Sequence, residues 1–130
     1  MANVHIRVTA AIIQNNSGSV LLCQRPKTKH HGLLWEFPGG KVESGESDEA
    51  CLIRECREEL GVTLKDLMPY DTVDGDGITL VFFLARIKEG EITKYEHADV
   101  KWVEVKDVKT YDLCPNDKRM VTKHPDFFKL

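Results

Sequence analysis

The sequence predicts an α/β or α+β chain. Short apolar strand patterns lie on both sides of one amphipathic helix. That helix, near the middle of the chain, carries clear start and stop signals, and a second helix signal follows near the end. At 130 residues the chain is expected to form one domain, 1–130, large enough for a real core. Hydrophobic residues make up 42% and charged residues 30%, as in an ordinary globular chain.

Val4 to Gln14 is rich in Val, Ile and Ala and predicts a buried strand. Asn15-Asn16-Ser17-Gly18 is a turn cluster, and Ser19 to Arg25 reads as the return strand of a hairpin. Pro26 to Gly32 is polar and predicts a loop. It holds His30 and His31, which lack a nearby Cys or acidic partner and so make a poor metal site. Trp35 to Pro38 is expected as a short strand.

The helix begins after Ser47, a good N-cap, with Asp48 and Glu49 in the turn where the dipole favours negative charge. Gly61 marks its end. At about 100° per residue, Ala50, Leu52, Ile53, Cys56 and Leu60 share one face, and Glu55, Glu58 and Glu59 the other.

Beyond it, Leu64 to Val73 and Ile78 to Ile87 predict strands joined by a tight turn at Asp74-Gly75-Asp76-Gly77. Ile78 to Leu84 is continuously apolar, as in a central strand covered on both faces. Val100 to Val105 predicts another strand. Pro115 to His124 predicts a final helix with Pro115 in its first turn, and Phe127 and Phe128 are expected to pack at the end of the chain.

The net charge of −3 leaves no basic footprint for stable nucleic-acid binding or for an anionic membrane. The opening MANVHIRVTAAII has its apolar run broken by His5 and Arg7, unlike a signal peptide, and no run approaches membrane-spanning length. Cys23, Cys51, Cys56 and Cys114 form no C-x-x-C pair and read as free thiols, so a cytoplasmic setting is expected.

Three carboxylates on one helix face repel each other at neutral pH. A hard divalent cation would compensate, since Mg²⁺ and Mn²⁺ prefer carboxylate oxygens and share their other positions with water and phosphate. A solvated acidic face with ordinary ion pairs to Arg54 and Arg57 is the plainer account of the same residues.

The wider spacing decides between them. Gly40, five residues, Glu46, seven residues, Arg54-Glu55, Cys56, Arg57, Glu58-Glu59, Leu60, Gly61 and Val62 follow one another in a pattern that resembles the Nudix box at every fixed position. Cys56 holds a place usually given to a branched aliphatic residue, a mild departure because buried Cys packs as a small hydrophobe. The flanking Trp35-Glu36-Phe37-Pro38-Gly39-Gly40-Lys41-Val42-Glu43 is similar to the MutT-like and CTP pyrophosphohydrolase-like branch.

The resemblance implies an α/β fold of Nudix type, a mixed β-sheet sandwiched between helices. It implies a metal-dependent pyrophosphohydrolase that cleaves a nucleoside triphosphate to monophosphate and pyrophosphate, with Mg²⁺ or else Mn²⁺. The metal ligands it implies are Glu55, Glu58, Glu59 and the Gly39 carbonyl, with Glu55 the usual general base. Arg54 then orients a carboxylate such as Glu46. A loop acid is expected as well: Glu96 in Tyr95-Glu96-His97, with Asp99 and Glu91 as competitors.

Arg25 and Lys41 match phosphate-gripping positions, and Lys27 and Lys29 are weaker candidates. Asp117 stands where branch members carry a base-reading residue. A one-residue shift puts Asn116 there, and either residue serves equally as a helix start. Phe37 and Phe82 are candidate walls for the base. The Asp74–Gly77 turn has no Arg where related enzymes add one, which leaves base choice open.

The expected partner is a small nucleotide, of cytidine or oxidised type, and the chain is expected as a monomer or homodimer. Another Nudix substrate, such as ADP-ribose or a dinucleoside polyphosphate, is the alternative. The downstream Pro or Tyr marking several of those branches is missing, since Gly77, Ile78, Thr79 and Leu80 fill that zone. A non-catalytic nucleotide sensor is a third reading, disfavoured because Glu55, Glu58 and Glu59 are all present.

Overall fold

The computed structural model describes residues 6–130. Val4 and His5, at the start of the first expected strand, lie outside the described residues. The elements are β1 (Ile6–Ile13), β2 (Val20–Gln24), β3 (Trp35–Glu36), β4 (Gly39–Lys41), α1 (Asp48–Leu60), β5 (Thr63–Gly75), β6 (Ile78–Glu89), β7 (Asp99–Val103), a 3-10 turn (Val105–Thr110), α2 (Pro115–Lys123) and α3 (Pro125–Phe128).

They build two sheets. A mixed sheet runs β4-β1-β6-β5, with β1 and β6 parallel from Ile6 beside Ile78 to Ile13 beside Ala85. A smaller antiparallel sheet runs β3-β2-β7. Alternation along the central strands feeds two cores. Ala10, Ile12, Leu80 and Phe82 face one side, where Met120 and Val121 of α2 and Phe128 of α3 cover them. Ala11, Ile13, Val81 and Phe83 face the other, where Leu52, Cys56 and Leu60 of α1 cover them. The result is an α/β/α sandwich.

The expected hairpin of the first two strands does not form. Asn15 to Ser19 does turn the chain, but only Gln14 and Val20 bridge it. Both edges of β1 are already taken, by β4 and β6, so β2 joins the second sheet. The β5–β6 hairpin does form, turning on Asp76 (φ 55°) and Gly77 (φ 74°). Two successive left-handed residues match the twist of the flanking strands.

The strand expected over Val100–Val105 is Asp99–Val103, because Val105 opens the 3-10 turn. The strand expected at Trp35 to Pro38 stops at Glu36. All four cysteines are buried free thiols.

Helix α1 is capped as its sequence demands. Ser47 Oγ accepts from the Ala50 N–H at 3.1 Å, and Gly61 closes the end at φ 71°. Its buried face is rotated from the one expected. Ala50 is exposed, while Cys51, Leu52, Cys56, Glu59 and Leu60 are buried. Glu59 therefore leaves the solvent face shared by Glu58 and enters the protein one turn after the half-buried Glu55. The cause is β4, which packs along that flank of the helix and covers it.

Candidate active site

The loop and first turns of α1 are organised around Arg54. Its guanidinium grips Glu46 with both prongs, Nε to Oε2 at 2.8 Å and Nη2 to Oε1 at 2.9 Å. It also donates to Glu55 Oε1 at 2.8 Å, to Glu58 Oε2 at 3.4 Å and to the Lys41 carbonyl at 3.1 Å. A planar fork satisfies several oxygens at fixed angles as a lysine would not. The hydrogen bonds from Arg54 hold the Glu46 carboxyl down at about 2.

Two glycines let β4 lie against this helix. A Cβ on Gly40 would run into the Glu55 carboxylate, and one on Gly39 into the Thr9 carbonyl of β1. The Gly39 backbone reaches the Glu59 carboxylate, whose Oε2 is buried with no hydrogen-bond partner. Burial, then the charges of Glu55, Glu36 and Glu96, push Glu59 up to about 9. Burial is also the main cause that raises Glu55, with Arg54 opposing and Glu58 and Glu96 adding.

Glu96 is exposed on the loop before β7, yet its charge acts on both Glu55 and Glu59. That loop is tied to the end of α1 by Thr93 N–H to Leu60 O and Tyr95 N–H to Glu59 O. Of the competitors, Asp99 turns to the Val100 N–H at 2.8 Å and to Lys94, and Glu91 is exposed.

A cavity of about 350 Å³ opens beside these acids. Val8, Ala10, Phe37, Ile78 and Leu80 supply apolar walls, while Arg25, Lys41, His30 and His31 also border it. Glu59, Asn116 and Asp117 line it as well. Lys27 and Lys29 are not among the lining residues.

Asp117 is 4% exposed, and its Oδ2 accepts from the Phe37 N–H at 3.0 Å. Burial first, then Glu36, push it up to about 8. The Asn116 carboxamide is already engaged: Nδ2 donates to the Gly75 carbonyl at 3.1 Å, and Oδ1 accepts from Arg119. Phe82 is not a wall. It is fully buried behind Phe37, ring to ring at 6.2 Å, because β6 turns it into the core beneath the cavity.

Two contributors escaped the sequence reading. Glu36 Oε1 accepts from Arg25 at 3.0 Å, and its Oε2 lies 3.5 Å from His97 Nε2, which is 3.7 Å from Glu59. His97 is buried, and its Nδ1 has no partner. The one available hint was Glu36 itself, a charge between Trp35 and Phe37 in an otherwise apolar run.

The site suits a hard cation by its chemistry: oxygen donors, mutual repulsion and a buried carboxylate oxygen left unsatisfied. Among the described residues no three acidic, His or Cys side chains stand ready-gathered as a metal cluster, and Arg54 holds Glu55 and Glu58 meanwhile.

The model of the NUDIX domain matches residues 4–124. The chain belongs to the Nudix hydrolase family. It is an enzyme of the Nudix pyrophosphohydrolase type. It is 39% identical over 93 residues to an 8-oxo-dGTP diphosphatase of Proteus vulgaris, covering 68% of this chain and 83% of that one. It is 35% identical to a CTP pyrophosphohydrolase of Escherichia coli, covering 86% and 85%. Among solved Nudix folds, a MutT from work on the Aliivibrio salmonicida and Vibrio cholerae proteins superposes with a TM-score of 0.76 at 32% identity, covering 92% of this chain and 95% of that one. No helix among the described residues is long and apolar enough to cross a membrane.

Proposed function

We propose that this Nudix hydrolase cleaves a nucleoside triphosphate to its monophosphate and pyrophosphate. The preferred base is cytosine or an oxidised purine, and the role is clearing or turning over nucleotides in the pool. The carrying observation is one cavity lined by both Glu59, on which the charges of Glu55 and Glu96 act, and a buried, neutral-leaning Asp117. The relatives bearing the names CTP pyrophosphohydrolase and 8-oxo-dGTP diphosphatase support the same class.

Glu55, Glu58, Glu59, Glu96 and the Gly39 carbonyl would hold divalent ions, Mg²⁺ or Mn²⁺. When bound, such ions neutralise phosphate charge and make water more acidic. Arg25 and Lys41 border the cavity and meet the phosphate chain. Glu55, raised by burial, takes the proton from the attacking water as its oxygen bonds to a phosphorus of the linkage between the monophosphate and pyrophosphate units. The bridging P–O bond breaks, and its electron pair leaves on the bridging oxygen with the departing unit. Arg54, anchored on Glu46, fixes the carboxylate rotamer without touching substrate.

The base lies against Phe37 and Leu80 with its edge toward Asp117. With a titration point of about 8, Asp117 is mainly a carboxylic acid at neutral pH. It then offers one O–H donor and one acceptor oxygen, a pair that meets the N3 and exocyclic amine of cytosine or the O6 and N1–H of an oxidised guanine.

The test is a pyrophosphate-release screen with Mg²⁺ over normal, methylated and oxidised nucleoside triphosphates, with ADP-ribose included. Release is expected from CTP, dCTP or 8-oxo-dGTP. Turnover confined to ADP-ribose would overturn the reading.

A further inference from the structure

Behind the cavity wall formed by α2 lies an outer groove between β5 and that helix, with Arg119 in its lining. Arg119 lies outside the base cavity, yet its Nη1 donates to Asn116 Oδ1. Asn116 is 7% exposed, and its Nδ2 donates to the Gly75 carbonyl, the last residue of β5 before the hairpin tip. The orientation of this carboxamide is set by chemistry: guanidinium has only donors, so the amide must turn its oxygen to Arg119 and its NH₂ to the carbonyl. Gly75 is part of the fit, since a Cβ there would run into both Arg119 and Asn116.

The hairpin tip that this bond holds carries Asp76, which with Ile78 lines the same cavity as Pro115, Asn116 and Asp117 of α2. Nothing else in α2 reaches the tip through a side-chain hydrogen bond among the described residues.

We propose that Arg119 is a positioning residue for substrate choice. It locks the Asn116 carboxamide onto Gly75, which fixes the distance between the β5–β6 hairpin and α2 and so the width of the base cavity. Two consequences follow. Asn116, with both ends of its amide engaged, does not read the base and leaves that task to Asp117. Selectivity among bases is then set from outside the cavity, by a residue that never meets the nucleotide. This rests on the base cavity proposed above.

The experiment compares Arg119→Met with Asp117→Ala and wild type, reading kcat and KM separately for CTP and for 8-oxo-dGTP. Loss of the clasp is expected to raise KM for the preferred nucleotide and narrow the ratio between the two by about tenfold, with kcat at saturation changed by less than about twofold. Amide hydrogen exchange at residues 74–77 is expected to quicken in Arg119→Met without substrate present, a readout independent of turnover.

Placing Arg119→Met in an Asn116→Ala background supplies the coupling test, because the effect must then vanish. Gly75→Ala is expected to reproduce the Arg119→Met profile, since it displaces the same two side chains. An effect of Arg119→Met that persists without Asn116 would overturn the clasp. So would an unchanged ratio in Arg119→Met while Asp117→Ala still alters it, which would leave the cavity reading intact. If Asp117→Ala also leaves the ratio unchanged, both fall together.

Discussion

Glu59 on α1 and Asp117 on α2 line one cavity, and burial raises both, to about 9 and about 8. Their surroundings separate them. Glu59 has like charges from Glu55, Glu36 and Glu96 acting on it, and one of its oxygens has no partner. Asp117 has only Glu36 of these charges acting on it, with the Phe37 N–H donating to it and Arg25 opposing. The first arrangement gathers more like charge and leaves an oxygen unsatisfied, whereas the second has a donor already in place. Under the proposed function these two similarly perturbed acids serve different chemistry, and the neighbours tell them apart rather than the size of the shift.

The sharpest way to break this comparison is to neutralise each acid in turn. Glu55→Gln and Glu58→Gln keep shape and remove charge, and each is expected to cut turnover by about 10²–10⁴-fold. Thermal unfolding should change little, because Glu58 is exposed and Glu55 half-buried. Steady-state rates with Mg²⁺, set beside a melting curve, check both halves. Near-normal rates in either variant would remove these residues from the acid set.

A smaller effect tests how the acid side is built. Gly40→Ala places a methyl against the Glu55 carboxylate, a movable side chain. Turnover is expected to fall by about 10–100-fold, as for a catalytic group displaced by roughly an ångström, with the fold retained. Gly39→Ala instead meets the Thr9 backbone, which cannot move without opening the β1–β4 pairing. It should appear as lost soluble protein or a lower melting point. Equal behaviour of the two variants would show that the glycines do not divide the work this way.

The two sides also differ in how far the sequence discloses them. Helix α1 was fully legible, because its cap, stop and acids are all local. Its burial was not: Glu59 is drawn inward by β4, which is remote in packing terms from the helix's own periodicity. Glu36 and His97 meet only because β2 pairs with β3 on one edge and β7 on the other, and neither pairing has a local signature. The separation of β1 and β2 into two sheets was hidden for the same reason, since an apolar strand does not state which edge it will offer. The order of Leu113, Pro115, Asn116 and Asp117 left open which of the last two faces a base, and only the structure shows the Asn116 amide engaged by Gly75 and Arg119. Phe82 could not be told from Phe37 until the strand's facing was known.

On the base side, Asp117→Ala is expected to change the ratio of kcat/KM between CTP and 8-oxo-dGTP by about tenfold or more, with a smaller loss of rate on a poor substrate. The asymmetry with the Glu variants is the point: the acids near α1 should govern rate and Asp117 should govern choice. A variant that lost rate equally on every nucleotide would place Asp117 with the other acids.

The mildest prediction concerns stability and its sign. Asp117 titrates at about 8 in the folded chain against an ordinary 3.8. Between those values the folded state keeps a proton that the unfolded state has released. Stability from this group therefore falls as pH rises from about 4 to about 8, and levels off above. Asp117→Asn removes the titration while keeping an oxygen to accept the Phe37 N–H. The variant should melt close to wild type near pH 4 and above it at higher pH, the gap widening steadily up to about pH 8. Glu59 and every other titrating group are common to both proteins, so the difference between the two melting curves isolates Asp117. A gap that stayed flat across this range would mean that Asp117 ionises normally, and its pairing with the base would then have to run through acceptor oxygens alone.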